Sequence, residues 1–118
     1  MQEHIQNELA SFIANCDWEK IAPHFKEDAA YRVLDWVGCA VAGEHYPQVE
    51  IAQKYFIENG DQGNSTVIGH QTKCSPRTAA FLNGIAGHVC ELDDGHRTAI
   101  GHPGSIAVPT ALALGEHL

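Results

Sequence analysis

Basic residues are scarce in this chain. Seven Lys and Arg stand against 15 Asp and Glu, a formal charge of −8 with histidine neutral. Binding to nucleic acid needs clustered positive charge to displace counterions from phosphates, so this balance argues against a nucleic-acid partner. Long apolar runs are missing too. The longest, Ile106 to Leu114, is interrupted by Pro109 and Thr110 and is far too short to span a bilayer. The first residues, Met-Gln-Glu-His-Ile-Gln-Asn-Glu, hold neither a basic nor an apolar signal region, which argues against secretion. Cys16, Cys39, Cys74 and Cys90 are widely spaced, with no C-x-x-C pair to build a structural zinc site. They read as buried thiols in a reducing cytoplasm. There is no charged tail, internal repeat or low-complexity segment.

What is present is an ordinary globular composition, 44% hydrophobic and 19% charged over 118 residues, enough for one domain covering residues 1–118. Its hydrophobic spacing is helical. Ile5, Leu9, Phe12 and Ile13 step by three and four, predicting an amphipathic helix over 3–16. Ala30, Val33, Leu34, Val37 and Val41 give a second helix over about 27–42, its stripe widened by Trp36 and Cys39 and closed by Gly43. Pro47 opens a third helix, with Val49, Ala52 and Phe56 on one face and Asn59-Gly60 ending it. Thr66-Val67-Ile68 is too short to predict a sheet. Ser75-Pro76 supplies an N-cap and a first helical residue for a helix over 76–91, whose small residues admit a close neighbour. Ser105 opens a last helix, distorted by Pro109 and apolar on nearly all sides. The fold class is all-α, a helical bundle. Trp18, Tyr31, Trp36 and Phe56 read as core or interface aromatics. An apolar final helix needs burial, so the chain is expected to belong to a larger fold or to need a partner.

The segment from Glu91 to Ser105 is the densest in chemistry. Glu91, Asp93, Asp94, His96, Arg97 and His102 lie between two predicted helices, in a stretch punctuated by Gly95, Gly101 and Pro103-Gly104. A metal site is disfavoured, because His96 and His102 are six apart in a loop and no H-E-x-x-H or thiolate pair supports them. A second reading pairs the acids with Arg97 and uses them to cap the neighbouring helix ends. A third is an acid–base site for an anionic substrate, with Arg97 offering a planar fork to a carboxylate and histidine exchanging a proton near neutrality. His88 lies within reach of the loop, either as a packing residue or as support for the loop's groups. His4, His24, His45, His70 and His117 read as surface residues.

The runs Leu34-Asp35-Trp36-Val37-Gly38-Cys39-Ala40-Val41-Ala42-Gly43, Ser65-Thr66-Val67-Ile68-Gly69, Ala79-Ala80-Phe81-Leu82-Asn83-Gly84, Glu91-Leu92-Asp93-Asp94-Gly95-His96 and His102-Pro103-Gly104-Ser105 resemble, in that order, the N-terminal part of the MmgE/PrpD family. That resemblance implies a helical domain whose separate lid domain is absent from this segment, usually in a homodimer. It also implies cofactor-free, metal-free chemistry on small polycarboxylates by dehydratases, decarboxylases and epimerases. By position it gives the catalytic roles to His102 and Asp93, and substrate contacts to Arg97, His96, Asp94 and Glu91. Glu91 stands where some members have aspartate and Gly95 where some have threonine, and the spacing before His102 is one residue longer than in decarboxylases. These departures weaken a decarboxylase assignment and leave a dehydratase or an epimerase open. The lid contributes further catalytic groups in the family, so the chain is expected to be inactive alone. Its expected partners are a small polycarboxylate and either a second copy or a companion chain supplying the lid, with no nucleic acid or membrane.

Overall fold

The structure is a computed structural model that describes residues 2–118, with side chains from His4 onward. Among the described residues there are five α-helices and one 3-10 turn: α1 (Gln2–Ala14), the turn Trp18–Lys20, α2 (Pro23–Gly43), α3 (Pro47–Glu58), α4 (Pro76–His88) and α5 (Gly104–His117). The chain divides into two compact units, Met1–Ala30 and Tyr31–Leu118. No helix among the described residues is long and apolar enough to cross a membrane.

In the first unit α1 forms as its spacing predicts, but its apolar stripe lies open: Ile5, Leu9, Phe12 and Ile13 are 58–67% exposed. Asp17 caps the 3-10 turn, accepting a hydrogen bond from the Glu19 amide, and Lys26 lies over the Trp18 ring at 4.8 Å. Trp18 is exposed, as is Tyr31 at the start of the second unit. Neither is a core aromatic, which leaves the interface half of the expectation for them.

The second unit is organised around α4. Ala79 and Leu82 pack with Val67, Cys74 and Ala113, flanked by Ala52 and Phe56 of α3. One turn further on, Ala86 packs with Trp36, Ala40 and Val49. On α2 the buried residues are Trp36, Cys39, Ala40 and Gly43, while Leu34 and Val41 face outward. The face is thus centred on Trp36 and Cys39, expected only to widen the stripe, and runs on through Ala40 to Gly43, where a Cβ would lie 2.0 Å from the Ala86 carbonyl oxygen. Gly87 of α4 makes room for the large ring: a Cβ there would lie 2.4 Å from the Trp36 indole nitrogen. α3 keeps its expected face and its bounds, and Gly60 beyond it adopts φ +80°.

The 60–75 segment forms no strand, only one antiparallel bridge between Ser65 and Cys74. Side chains pin it instead. Buried Asn83 accepts from the Ile68 amide (2.8 Å) and donates to the Thr66 carbonyl (2.9 Å), while Ser65 donates to the Ala113 carbonyl. Glu116 accepts from the Thr66 amide and hydroxyl, and these bonds lower its pKa. Within α5, Pro109 is buried and has no amide to offer the carbonyl four residues back, that of Ser105. That carbonyl faces Gly84 of α4 at a distance only a glycine tolerates easily. All four thiols are free: Cys39 and Cys74 are buried, Cys90 is half-buried, and Cys16 is exposed, contrary to the expectation for it.

Candidate functional site

Helix α4 ends three residues earlier than its pattern suggests. Ser75 caps its start and Val89 its end, and Glu91 then turns the chain with a left-handed φ of +50°. The early stop has a chemical consequence. It folds Asp93 back beneath the last residue of α4, His88, instead of leaving it a turn further along a helix.

Asp93 is the centre of the arrangement. Its side chain is fully buried, and both carboxylate oxygens lie 3.1 Å from His88 Nδ1. The Ser105 hydroxyl, on the first turn of α5, donates to the same carboxylate through a very short contact. His102 Nδ1 lies 3.4 Å from Oδ1, too loosely placed for a hydrogen bond, and that nitrogen is buried without another partner. Burial pushes the Asp93 pKa up, but the bonds from Ser105 and His88 outweigh it, and the net shift is downward. The carboxylate is therefore ionised at neutral pH. A carboxylate only accepts, so the proton shared with His88 sits on Nδ1 and leaves Nε2 on the far edge of the ring.

The two imidazoles lie side by side, ring centroids 4.7 Å apart, and both are partly exposed: 46% for His88 and 38% for His102. With Ser105 they line a groove of about 650 Å³ between α4 and α5, otherwise walled by apolar groups such as Phe81, Ile85 and Ile106. Asp93 holds the His88 ring by hydrogen bonds and faces the His102 ring at 3.4 Å, and both rings border the groove, an arrangement able to take up or deliver a proton. His88, Asp93 and His102 are also a candidate metal-ligand set, since one ligand atom of each lies within 4.8 Å of the others.

The remaining residues singled out in the sequence sit elsewhere. Asp94 accepts a hydrogen bond from the Gly104 amide (2.8 Å), which caps α5, and it borders a second hollow of about 480 Å³ with Arg32, Asp35 and Trp36. His96 accepts from the Ala99 amide, and a bridge to Gly101 closes the tight 96–101 turn in which Ile100 takes φ +50°. Glu91 and Arg97 are exposed, and among the described residues Arg97 has no acidic partner. The acids therefore do not pair with Arg97, although one of them does cap a helix. His88 and Ser105 are the members of the cluster that the loop-centred reading did not place at its heart. The signal for them is indirect: both terminate helices that flank the acidic loop.

Comparison with known proteins agrees with this architecture. Residues 7–118 match the MmgE/PrpD N-terminal domain. The chain is 30% identical over 113 residues to the cis-aconitate decarboxylase-like protein oryM of Aspergillus oryzae, covering 96% of this chain and 23% of that protein. It is 33% identical over 87 residues to the cis-aconitate decarboxylase of Homo sapiens, covering 73% of this chain and 18% of that one. The chain thus spans about a quarter or less of the length of these relatives. Both are named as a cis-aconitate decarboxylase or as a protein like one. An all-α segment that carries the family's motifs in order and matches its N-terminal domain almost throughout belongs to the MmgE/PrpD family.

Proposed function

We propose that this segment supplies the acid–base face of a lyase or isomerase acting on a small polycarboxylate, with no cofactor in the chemical step. The observation that carries the reading is the buried carboxylate of Asp93, bonded to one imidazole and facing a second at the edge of a groove. His102 is the acid–base group. It exchanges a proton at the carbon beside a substrate carboxylate, where the neighbouring carboxylate and its binding partners stabilise the negative charge that develops. Asp93 lies 3.4 Å from that ring and supplies the negative charge beside it. Arg97, unpaired and exposed, and His96 beside it meet a substrate carboxylate, with Asp94 and Glu91 shaping the rim. Dehydration, decarboxylation and epimerisation all begin from or pass through such a proton exchange, so the same face serves each. The decarboxylase names of the relatives favour that branch, while the Glu91 and Gly95 departures weaken it and leave the other two open. The free thiols suit a reducing compartment such as the cytoplasm.

Steady-state kinetics test the assignment. In the active enzyme built on this segment, His102→Ala lowers kcat by roughly 10²-fold or more with a smaller effect on KM. Arg97→Ala chiefly raises KM, and Asp93→Asn falls between the two. Unchanged kcat with a depressed melting temperature in His102→Ala ends the catalytic reading. The 118-residue chain by itself shows no turnover of cis-aconitate or 2-methylcitrate, because removing members of a catalytic unit costs orders of magnitude in rate. Turnover abolished by His102→Ala would contradict that.

A second reading is favoured by the open apolar stripe of α1 and by exposed Ile106 and Leu114 on α5. It makes the chain a helical association module, pairing with a second copy or a companion chain and catalysing nothing. Association without any effect of His102→Ala on the turnover of the assembled species selects this reading over the first.

A further inference from the structure

We propose that His88, Asp93 and His102 form a binding site for a divalent transition-metal ion of the zinc type, seated at the inner edge of the groove. Zinc takes imidazole nitrogen and carboxylate oxygen at about 2.0–2.2 Å, which sets neighbouring donors roughly 3 to 3.5 Å apart. Two sides of the donor triangle already have that length: His88 Nδ1 to Asp93 Oδ1 at 3.1 Å, and His102 Nδ1 to the same oxygen at 3.4 Å. One ligand atom of each residue lies within 4.8 Å of the other two, and a small rotation of either partly exposed ring closes the remaining side. His102 Nδ1 is the telling atom. It is buried, aimed into the cluster, and lacks the hydrogen bond that a buried nitrogen ordinarily finds. A metal ion satisfies it.

The surroundings match what such a site needs. Ser105 donates to the Asp93 carboxylate from behind, the kind of outer hydrogen bond that fixes a ligating carboxylate. Asp93 supplies the single negative charge, and with two neutral imidazoles the set prefers zinc, cobalt or nickel to the oxygen-seeking magnesium and calcium. Three protein ligands leave a fourth position open toward the groove, where water or a substrate carboxylate can bind the ion. With the ion on Nδ1, each neutral ring carries its proton on Nε2 and has no free nitrogen left to accept one from substrate. Zinc is therefore an inhibitory occupant of the acid–base site, and the inference uses the residues of that reading without depending on turnover.

The test is titration of the 118-residue chain with Zn²⁺ by calorimetry and by histidine-selective NMR. One ion binds per chain, and the ring resonances of His88 and His102 shift while those of His4, His24, His45, His70 and His117 stay in place. His88→Gln and His102→Gln each weaken binding at least tenfold, and His45→Gln leaves it unchanged. Co²⁺ substitution gives visible d–d bands without a thiolate charge-transfer band, which separates this set from nearby Cys39 and Cys90. No binding at millimolar Zn²⁺, a thiolate band, or shifts spread over the surface histidines would overturn the proposal, and the wild-type NMR decides even where a variant fails to fold. Turnover that resists chelators upholds the acid–base reading whatever the titration shows, so the two inferences fail separately.

Discussion

At the scale of the residue, Asp93 carries the most consequence, because it is the buried charge on which two histidines and a serine converge. Its pKa is lowered on folding, since the bonds from Ser105 and His88 outweigh burial. The unfolded chain binds its proton more readily, near pH 3.9 by about the usual value for aspartate. The stabilisation is thus fully present above that pH and is lost as pH falls through the lower folded value. Asp61, held by the Ser75 amide, and Glu116, held by Thr66, shift in the same direction and add to the same acid limb. The melting temperature is expected to fall as pH drops below about 4. Asp93→Asn costs roughly 1–3 kcal/mol at pH 7, the scale of a hydrogen bond to a charged group. It also makes the acid drop shallower without abolishing it. An acid limb as steep in Asp93→Asn as in the parent, measured by thermal melts across pH, contradicts this account of the carboxylate.

At the scale of the element, α4 decides the arrangement because its small residues set how near α2 and α5 can come. A Cβ on Gly87 would meet the buried Trp36 ring at 2.4–2.9 Å, whereas one on Gly38 of α2 meets nothing within 4 Å. Gly87→Ala therefore overpacks, at a cost of about 1–3 kcal/mol that exceeds the helix-propensity gain. Gly38→Ala has only that gain, roughly 0.5–1 kcal/mol. Opposite signs in denaturant melts of the two variants are the expected outcome, and equal signs would show that the α2–α4 contact is not close. This contact also explains what the sequence could and could not convey. Helix starts were legible where local chemistry marks them, at Pro47 and at Ser75-Pro76, and so was the acidic loop with Asp93 and His102. The buried face of α2 was not, because Leu34 and Val41 outrank Ala40 and Gly43 in hydrophobicity while the neighbour selects for size. Nor was the early end of α4 at His88, since Val89 and Cys90 continue an apolar pattern that the left-handed Glu91 breaks. Without that end, nothing places His88 against Asp93, and a loop-centred reading turns to His96.

At the scale of the whole molecule, net charge and exposed apolar surface oppose each other. A charge of −8 keeps copies apart at neutral pH, and the repulsion is screened within about 10 Å at 0.1 M salt. Apolar burial is not screened. The open stripe of α1 presents four large side chains in register, a seam of the kind helices use to pair, while α5 exposes Ile106 and Leu114. At moderate ionic strength attraction wins, and the 118-residue chain is expected to run above its 12.8 kDa monomer mass by light scattering at micromolar concentration. Phe12→Asp and Ile106→Asp identify the face responsible, because a buried unpaired charge disrupts an interface by several kcal/mol whereas an exposed one is nearly neutral. Raising the salt concentration should increase the apparent mass if charge is the opposing force, and reduce it if ion pairs hold the copies together. A monomeric mass at every salt concentration, with no binding of a hydrophobic dye, would show that these faces neither associate nor offer apolar surface in solution. It would also remove the observation that favours the association reading over the catalytic one.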